Sequence, residues 1–175
     1  MNFPRRFALV MVCGLAAMLV PGTLLKSLAP GAAAPNLIVI LMVFLSFYDG
    51  RPTDALLAFL LGLMLDLGSL NLLGPWAGAY VAVFGVLVLF SRRIFIESPL
   101  VVFLTVFFAA VCCDFAQLGV LSLAYDGRAF TPAALSLAVW EGLLSGALAP
   151  FLFPLLRRWI GGAARDGEIG GLRRY

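Results

Sequence analysis

The sequence predicts an all-α polytopic membrane protein with six transmembrane helices. Of its 175 residues, 63% are hydrophobic and only 12% are charged, and the mean hydropathy is +1.06. Soluble domains are about half apolar and a quarter charged, so this chain has too little polar surface to cover a globule. Its apolar residues fall into six runs, separated by breaks that carry glycine, proline or charge. These observations exclude a soluble enzyme, a disordered tail and a disulfide-rich secreted module.

The length of the chain also agrees with six spans. A helix that crosses about 30 Å of hydrocarbon needs roughly 20 residues, so this chain holds about six spans and no sizeable soluble domain. The predicted transmembrane domain covers residues 1–160, and residues 161–175 are a predicted cytoplasmic tail. This tail is either disordered, with arginines that serve as topology signals, or contacts anionic membrane lipid through those arginines. The predicted spans are about 7–25, 33–48, 53–72, 73–90, 99–124 and 132–156.

Charged and turn-forming residues delimit these spans in order. Arg5 and Arg6 precede the first run, which has the layout of a signal peptide but is long for one, so we expect it to be retained. The second run is short and ends at Asp49-Gly50-Arg51-Pro52. The third and fourth runs are separated only by glycine, proline and small polar residues, which predicts a tight turn at membrane level. Asp126-Gly127-Arg128 separates the fifth run from the sixth.

The distribution of lysine and arginine predicts the orientation. With the N-terminus inside, the outer segments hold only Lys26 and Arg128, and the other ten basic residues lie on the inner side, as the positive-inside rule requires. This bias needs an even number of spans, so we expect both termini in the cytoplasm. The inner residues are Arg5, Arg6, Arg51, Arg92, Arg93, Arg157, Arg158, Arg165, Arg173 and Arg174.

Several kinds of chemistry have no support in the sequence. The chain has no histidine, and Cys13, Cys112 and Cys113 lie inside apolar runs without metal-ligand spacing, so we interpret them as packing residues. No hydrolytic motif and no phosphate-binding loop are present. The basic residues cluster at the ends of spans, which does not favour a nucleic-acid partner. We therefore expect no catalysis, no metal and no cofactor.

The third span carries polar and small residues along one face. Asp54, Ala58, Gly62 and Asp66 are each four residues apart, so on an α-helix they lie on one slowly drifting line. This line is polar at its ends and small in its middle, and we expect another helix to approach it closely. The opposite face is rich in leucine and phenylalanine, which suits lipid.

Acidic residues inside apolar spans are candidates for function, because a charge is costly there. Asp114 in the fifth span and Glu141 in the sixth are predicted to lie at the same depth on neighbouring helices. No lysine or arginine maps to that depth, so we expect at least one of the two carboxyl groups to be neutral. Gln117 and Ser145, each one helical turn away, are candidate hydrogen-bonding partners. The pair indicates either a path for a proton or ligand, or a contact that holds the helices in register.

Small residues recur every fourth position in two further spans. Gly74, Gly78 and Ala82 lie in the fourth span, and Gly142 and Gly146 lie in the sixth. This spacing permits close helix contact, either inside the bundle or with a helix of a partner protein.

A group of short motifs lies between about residues 35 and 95. Pro35-Asn36-Leu37 opens the second span, and a Gly-Leu-Met-Leu-Asp-Leu run ending at Leu67 is followed shortly by Leu73-Gly74. Arg92-Arg93 ends the fourth span. In these motifs, and in its length, number of spans and orientation, the chain resembles the MreD family, the small membrane component of the bacterial rod-shape, or elongation, complex.

The resemblance implies a non-catalytic scaffold in the bacterial inner membrane. The implied partners are MreC, the actin-like MreB filament, the glycosyltransferase RodA and a class B penicillin-binding protein. The family's six-helix layout is similar to that of the substrate-binding subunits of energy-coupling-factor vitamin transporters. By analogy with the family, Asp66 with Gly62 and Gly74 shapes a pocket or partner-binding face in the outer half of the bundle. A partner helix or peptide entering there would satisfy Asp66, Asp114 or Glu141.

Two other classes of function stay open at this point. The first is a substrate-binding membrane subunit of a small-molecule, vitamin-type transporter, which the similarity in layout suggests. The second is a membrane enzyme or proton channel that uses the acidic residues of the last two spans.

Overall fold

The computed structural model describes residues 3–20, 33–48, 52–69, 74–91, 98–124 and 130–161, and all regular secondary structure in these ranges is helical. Six α-helices follow one another, and a short π-helical segment, Arg157–Gly161, continues the last of them. The helices are α1 (Phe3–Val20), α2 (Leu37–Tyr48), α3 (Pro52–Ser69), α4 (Pro75–Ser91), α5 (Pro99–Ala124) and α6 (Pro132–Leu156). Each predicted run thus overlaps one helix, and α1 begins at Phe3, four residues before the predicted start of the first span. The predicted ends at residues 21–25 and 70–73 lie outside the described residues.

The second helix is shorter than the predicted span, which began at residue 33. It starts at Leu37 and has 12 residues. Two residues before it account for this boundary. Pro35 disfavours helical backbone at the residue before it, and the side chain of Asn36 accepts a hydrogen bond from the N–H of Val39 at 3.2 Å, which is the contact of a helix N-cap.

Helix α2 occupies the centre of the bundle. Its residues from Ile38 to Ser46 are all buried, none being more than 4% exposed, and it contacts each of the other five helices. An apolar helix without a polar face must be shielded from water, and here the other five helices shield it. With 12 residues, α2 is roughly 18 Å long, so the other helices extend beyond it.

The remaining helices surround α2 in the order α1, α3, α4, α5, α6, and the π-helical segment after α6 contacts α1. Specific contacts give their directions. Arg6 pairs with Asp54 near the starts of α1 and α3, so these two helices are parallel. Asn36 contacts Ser145 and Phe44 contacts Phe153, so α2 and α6 are parallel to each other. Asp66 near the end of α3 contacts the start of α4, so α3 and α4 form an antiparallel hairpin.

Much of the outer surface is apolar. Large hydrophobic side chains are exposed on every helix except α2, including Leu89, Leu123, Trp140 and Phe151. A soluble monomer rarely exposes so much apolar surface, whereas lipid accommodates it. Two helical stretches are long and apolar enough to cross a membrane by length and composition, Pro99–Leu123 and Pro132–Trp159. Shorter apolar helical stretches are Arg6–Leu19, Leu37–Phe47 and Pro75–Ser91.

Candidate functional site

Asp66 closes the hairpin between α3 and α4. Its carboxylate accepts hydrogen bonds from the backbone N–H groups of Gly74, Trp76 and Ala77, each at 3.0 Å. The first residue of α4 is Pro75, which has no N–H, and the N–H of Gly78 already donates to Gly74 within the chain. Asp66 therefore satisfies the free donors at the start of α4 and places a negative charge at the positive end of its dipole.

Glycine is needed at Gly74 and at Gly62, near Asp66, for two different physical reasons. Gly74 has a φ of +119°, a conformation that side chains disfavour, and it brings its own N–H to Asp66. At Gly62, a Cβ would lie only 2.6 Å from the Cα of Ala77, so this position needs glycine for close packing of α3 on α4. The line of small and polar residues on α3 thus faces other helices, as predicted, while Leu56 and Leu67 on its other face are exposed.

The prediction that Asp66 contacts a partner is not addressed by these contacts, and it stays a prediction. What the geometry shows is a carboxylate that is only 1% exposed and holds together two helices. The Asp-Leu motif therefore supplies the acceptor of this contact, and the Leu-Gly motif supplies one of its three donors, the N–H of Gly74.

A second ionic contact lies near the starts of α1 and α3. Arg6 and Asp54 form an ion pair with 3.0 Å between Nη2 and Oδ1. Both side chains are largely removed from solvent, with exposures of 12% and 1%. A buried charge is tolerated when a partner of opposite sign neutralises it, and so the pair fixes α1 against α3.

A buried group of polar side chains lies where α2, α4, α5 and α6 meet. We call it the polar cluster, and its members are Asn36, Tyr80, Asp114, Glu141 and Ser145. Asn36 is its centre. The Tyr80 hydroxyl donates to the Asn36 amide oxygen at 3.3 Å, and the Asn36 backbone N–H donates to the Ser145 hydroxyl at 2.8 Å. The cluster therefore ties the start of the central helix to its neighbours.

The two acidic residues of the cluster lie on helices that pack against each other. Asp114 is on α5 and Glu141 is on α6, and these two helices are in extensive contact. Gly142 makes the close approach of these helices possible, since a Cβ there would lie 2.9 Å from Val111. Asp114 is 6% exposed, and its Oδ2 atom accepts no hydrogen bond from any described residue.

The predicted hydrogen-bonding partners of this pair behave differently from expectation. Gln117 is half-buried one turn from Asp114 and does not donate to its Oδ2, which has no partner in the described part of the chain. The hydroxyl of Ser145 donates to the backbone carbonyl of Glu141 at 2.7 Å, because it lies four residues further along the same helix, where that carbonyl is in reach. It therefore does not bind the Glu141 carboxyl in the expected way.

The small residues of α4 and α6 turn out to have opposite environments. Gly142 and Gly146 pack inside the bundle, against Phe103, Phe107 and Val111 of α5. On α4, a Cβ added at Gly78 or Gly85 would meet no atom within 4 Å, and Ala82 is exposed. We call Gly78, Ala82 and Gly85 the α4 stripe. It forms a shallow, smooth strip on the outside of the molecule.

An apolar groove adjoins the α4 stripe. It has a volume of about 580 Å³ and lies between the second half of α4 and the first half of α5. Val86 and Phe90 line it from α4, and Leu104, Phe108 and Cys112 line it from α5. The groove is therefore apolar, and the α4 residues that line it are different from those of the α4 stripe.

Sequence reasoning missed two members of the polar cluster as site residues. Tyr80 was not singled out, although a tyrosine within an apolar helix needs a partner for its hydroxyl and is a usable signal. Asn36 was noted only as part of a family motif, beside the buried Pro35. The other motif residues, Arg92 and Arg93, lie outside the described residues. Within the described ranges, no three histidine, cysteine, aspartate or glutamate side chains are grouped to hold a metal ion.

Comparison with known proteins agrees with these features. The family model of the rod shape-determining protein MreD matches residues 5–159, which include α2 to α6, all but the first two residues of α1, and every member of the polar cluster. No curated protein and no solved structure matches the chain. The family match covers most of the sequence, including the Asp66 hairpin and the α4 stripe. The chain therefore belongs to the MreD family of rod shape-determining membrane proteins.

Proposed function

We propose that this protein is a non-catalytic scaffold of the cell-elongation complex in the bacterial inner membrane. In this proposal it spans the membrane six times, with both termini in the cytoplasm. It binds MreC and helps to couple the MreB cytoskeleton to peptidoglycan synthesis, with RodA and a class B penicillin-binding protein in the wider complex. Membership of a shape-determining family supports this function.

The observation that carries the proposal is the outward position of the α4 stripe. At Gly62 and Gly146, the space that a side chain would occupy is filled by a neighbouring helix. The space beside Gly78 and Gly85 is open. Small residues let two helix backbones approach closely in a membrane, so the stripe suits a transmembrane helix of a partner. We propose that MreC supplies this helix.

The filled centre of the bundle supports a scaffold over a vitamin-type transporter subunit. A ligand-binding subunit needs a concave pocket with a few polar groups. Here the described centre is occupied by α2, whose core residues are buried, and the groove beside α4 is apolar and faces outward. The similarity in layout to energy-coupling-factor subunits therefore stays a prediction about the fold.

Co-purification in mild detergent tests the proposal. We expect tagged MreC from the same source to co-elute with the wild-type protein, and we expect Gly78→Leu with Ala82→Leu to weaken co-elution at least tenfold, since two leucines would fill the stripe. The matched control is Ala147→Leu, a small-to-large change at an exposed position of α6. Clean separation of wild type from MreC in several detergents would refute the proposal.

A second experiment tests the predicted site residues. We propose that Asp66, Asp114 and Glu141 act in partner binding by holding the helices that shape the outer half of the bundle. Asp66→Asn and Glu141→Gln are then expected to reduce both co-elution with MreC and rescue of rod shape in depleted cells. If both variants bind MreC normally and restore shape fully, these residues have no part in partner binding.

A further inference from the structure

The apolar groove between α4 and α5 is narrower than a helix. Its lining extends from Val83 to Phe90 on α4 and from Val101 to Cys112 on α5, which corresponds to roughly 10–16 Å of groove at about 1.5 Å per residue. A volume of about 580 Å³ over that length gives a cross-section of roughly 35–60 Å². An α-helix with its side chains is about 10–12 Å across, so its cross-section is roughly 80–110 Å². A transmembrane helix is therefore too wide to enter the groove.

The lining of the groove suits a hydrocarbon chain. Apart from the hydroxyl of Thr105 and the thiol of Cys112, the side chains that line it are apolar. Leu87 is buried in its floor, whereas Phe90 and Phe108 are more than half exposed, at 54% and 59%. An apolar cavity of about 150 Å³ holds one benzene molecule, so the groove has room for roughly four times that volume. A long acyl chain of a lipid is of this size and width.

Two basic residues follow one end of the groove in the chain. Arg92 and Arg93 come directly after Ser91, the last residue of α4, and Phe90 of the groove immediately precedes Ser91. Consecutive Cα atoms are about 3.8 Å apart, so the Cα atoms of both arginines lie within about 12 Å of the Cα atom of Phe90. The connection from α4 to α5 also contains Glu97, and with two arginines its net charge is positive. The covalent chain therefore keeps positive charge near this end of the groove.

We propose that the groove binds an anionic phospholipid, with an acyl chain along α4 and α5 and the phosphate group beside Arg92 and Arg93. Guanidinium groups bind phosphate oxygens through paired N–H donors, and basic residues at the ends of membrane helices attract anionic headgroups. A zwitterionic lipid carries its own cation, so the arginines favour the anionic headgroup. The inference goes beyond the scaffold function and does not depend on MreC, because the residues of the α4 stripe do not line the groove.

Native mass spectrometry of the purified full-length protein tests the charge requirement. Phosphatidylglycerol and phosphatidylethanolamine with the same acyl chains are added at equal concentration, and we expect at least fivefold more bound phosphatidylglycerol. Arg92→Gln with Arg93→Gln is expected to abolish this preference. The matched control is Arg157→Gln with Arg158→Gln, which changes a second pair of adjacent arginines, exposed at the end of α6, and is expected to keep it.

Two further experiments test the groove. Cys112→Trp fills it, and we expect at least fivefold less bound phosphatidylglycerol. Its control, Val120→Trp, is expected to change binding less than twofold, because Val120 is 45% exposed on the same helix and does not line the groove. A photoreactive amino acid at Phe108 in otherwise wild-type protein is expected to give phospholipid adducts in cell membranes.

Four results would overturn the proposal. The first is equal binding of the two lipids to the wild type. The second is an equal loss of preference in both arginine variants, which would indicate attraction to the basic protein as a whole. The third is undiminished binding to a Cys112→Trp variant whose helical circular dichroism is intact. The fourth decides the matter even if that variant does not fold: a protein adduct without a phospholipid adduct from position 108 would show that a partner protein covers the groove.

Discussion

At the scale of single residues, Asp66 shows how one carboxylate can determine a local structure. Its oxygens accept hydrogen bonds from the backbone N–H groups of Gly74, Trp76 and Ala77. In most helices, the N–H groups of the second and third helical residues are instead satisfied by a side chain at the N-cap. The N-cap position here is Gly74, which has no side chain and adopts a positive φ. The acceptor therefore comes from the preceding helix, and the cap also becomes a tertiary contact.

We predict that Asp66→Ala lowers the free energy of unfolding by about 2–4 kcal/mol, because three backbone donors lose a charged acceptor and two of them belong to residues that start a helix. Unfolding by a denaturing detergent, followed by circular dichroism, measures this change. Leu67→Ala is the control, since Leu67 is 61% exposed and lies on the outer face of the same helix. Equal stability of the two variants would contradict the capping role.

At the scale of helices, the two kinds of glycine predict opposite responses to the same substitution. Gly62→Ala puts a Cβ against the backbone of Ala77, and we expect a loss of about 1–3 kcal/mol from overpacking. Gly78→Ala meets open space and is expected to leave stability unchanged or to raise it by up to about 1 kcal/mol, because alanine favours helix. Melting curves in the same detergent compare them, and a similar loss in both variants would show that α4 packs differently.

The positions of the helices along the chain were largely predictable from the sequence. Which helices pack against one another was not predictable. Apolar runs located all six helices, and the four-residue spacing on α3 correctly placed Asp54 and Asp66 on an inward face. The same spacing occurs at Gly78 and at Gly142, yet one faces outward and the other packs on α5. Spacing gives the face that two residues share, but the identity of the neighbouring helix depends on the tertiary fold.

The candidate site was predictable only where it depends on the position of residues within a helix, and not where it depends on the tertiary fold. Asp114 and Glu141 were paired by their depth on consecutive helices, which is a local argument. The role of Asn36 depends on α2 lying at the centre of the bundle, where it contacts every other helix. Its bond to Ser145 joins residues that are 109 positions apart in the chain, and no pattern within a single span indicates it.

At the scale of the whole molecule, we propose that the chain crosses the membrane six times. Labelling of single cysteines tests the orientation in a background without Cys13, Cys112 and Cys113. We predict that Asp126→Cys reacts with a membrane-impermeant maleimide in intact spheroplasts, and that Arg93→Cys reacts only after permeabilisation. Helix α5 lies between these positions. Equal labelling of both from one side would mean that α5 does not cross the membrane, and the reverse pattern would invert the orientation.

The most direct test of the scaffold function is photo-crosslinking in living cells from two exposed alanines. A photoreactive amino acid at Ala82 lies on the α4 stripe, and one at Ala147 lies on the outer surface of α6. If the stripe is the surface that binds MreC, position 82 will give a crosslinked product with MreC, and position 147 will give at most a tenth of that yield. Equal yields from both positions, or no MreC adduct from position 82 in cells that grow as rods, would contradict the account.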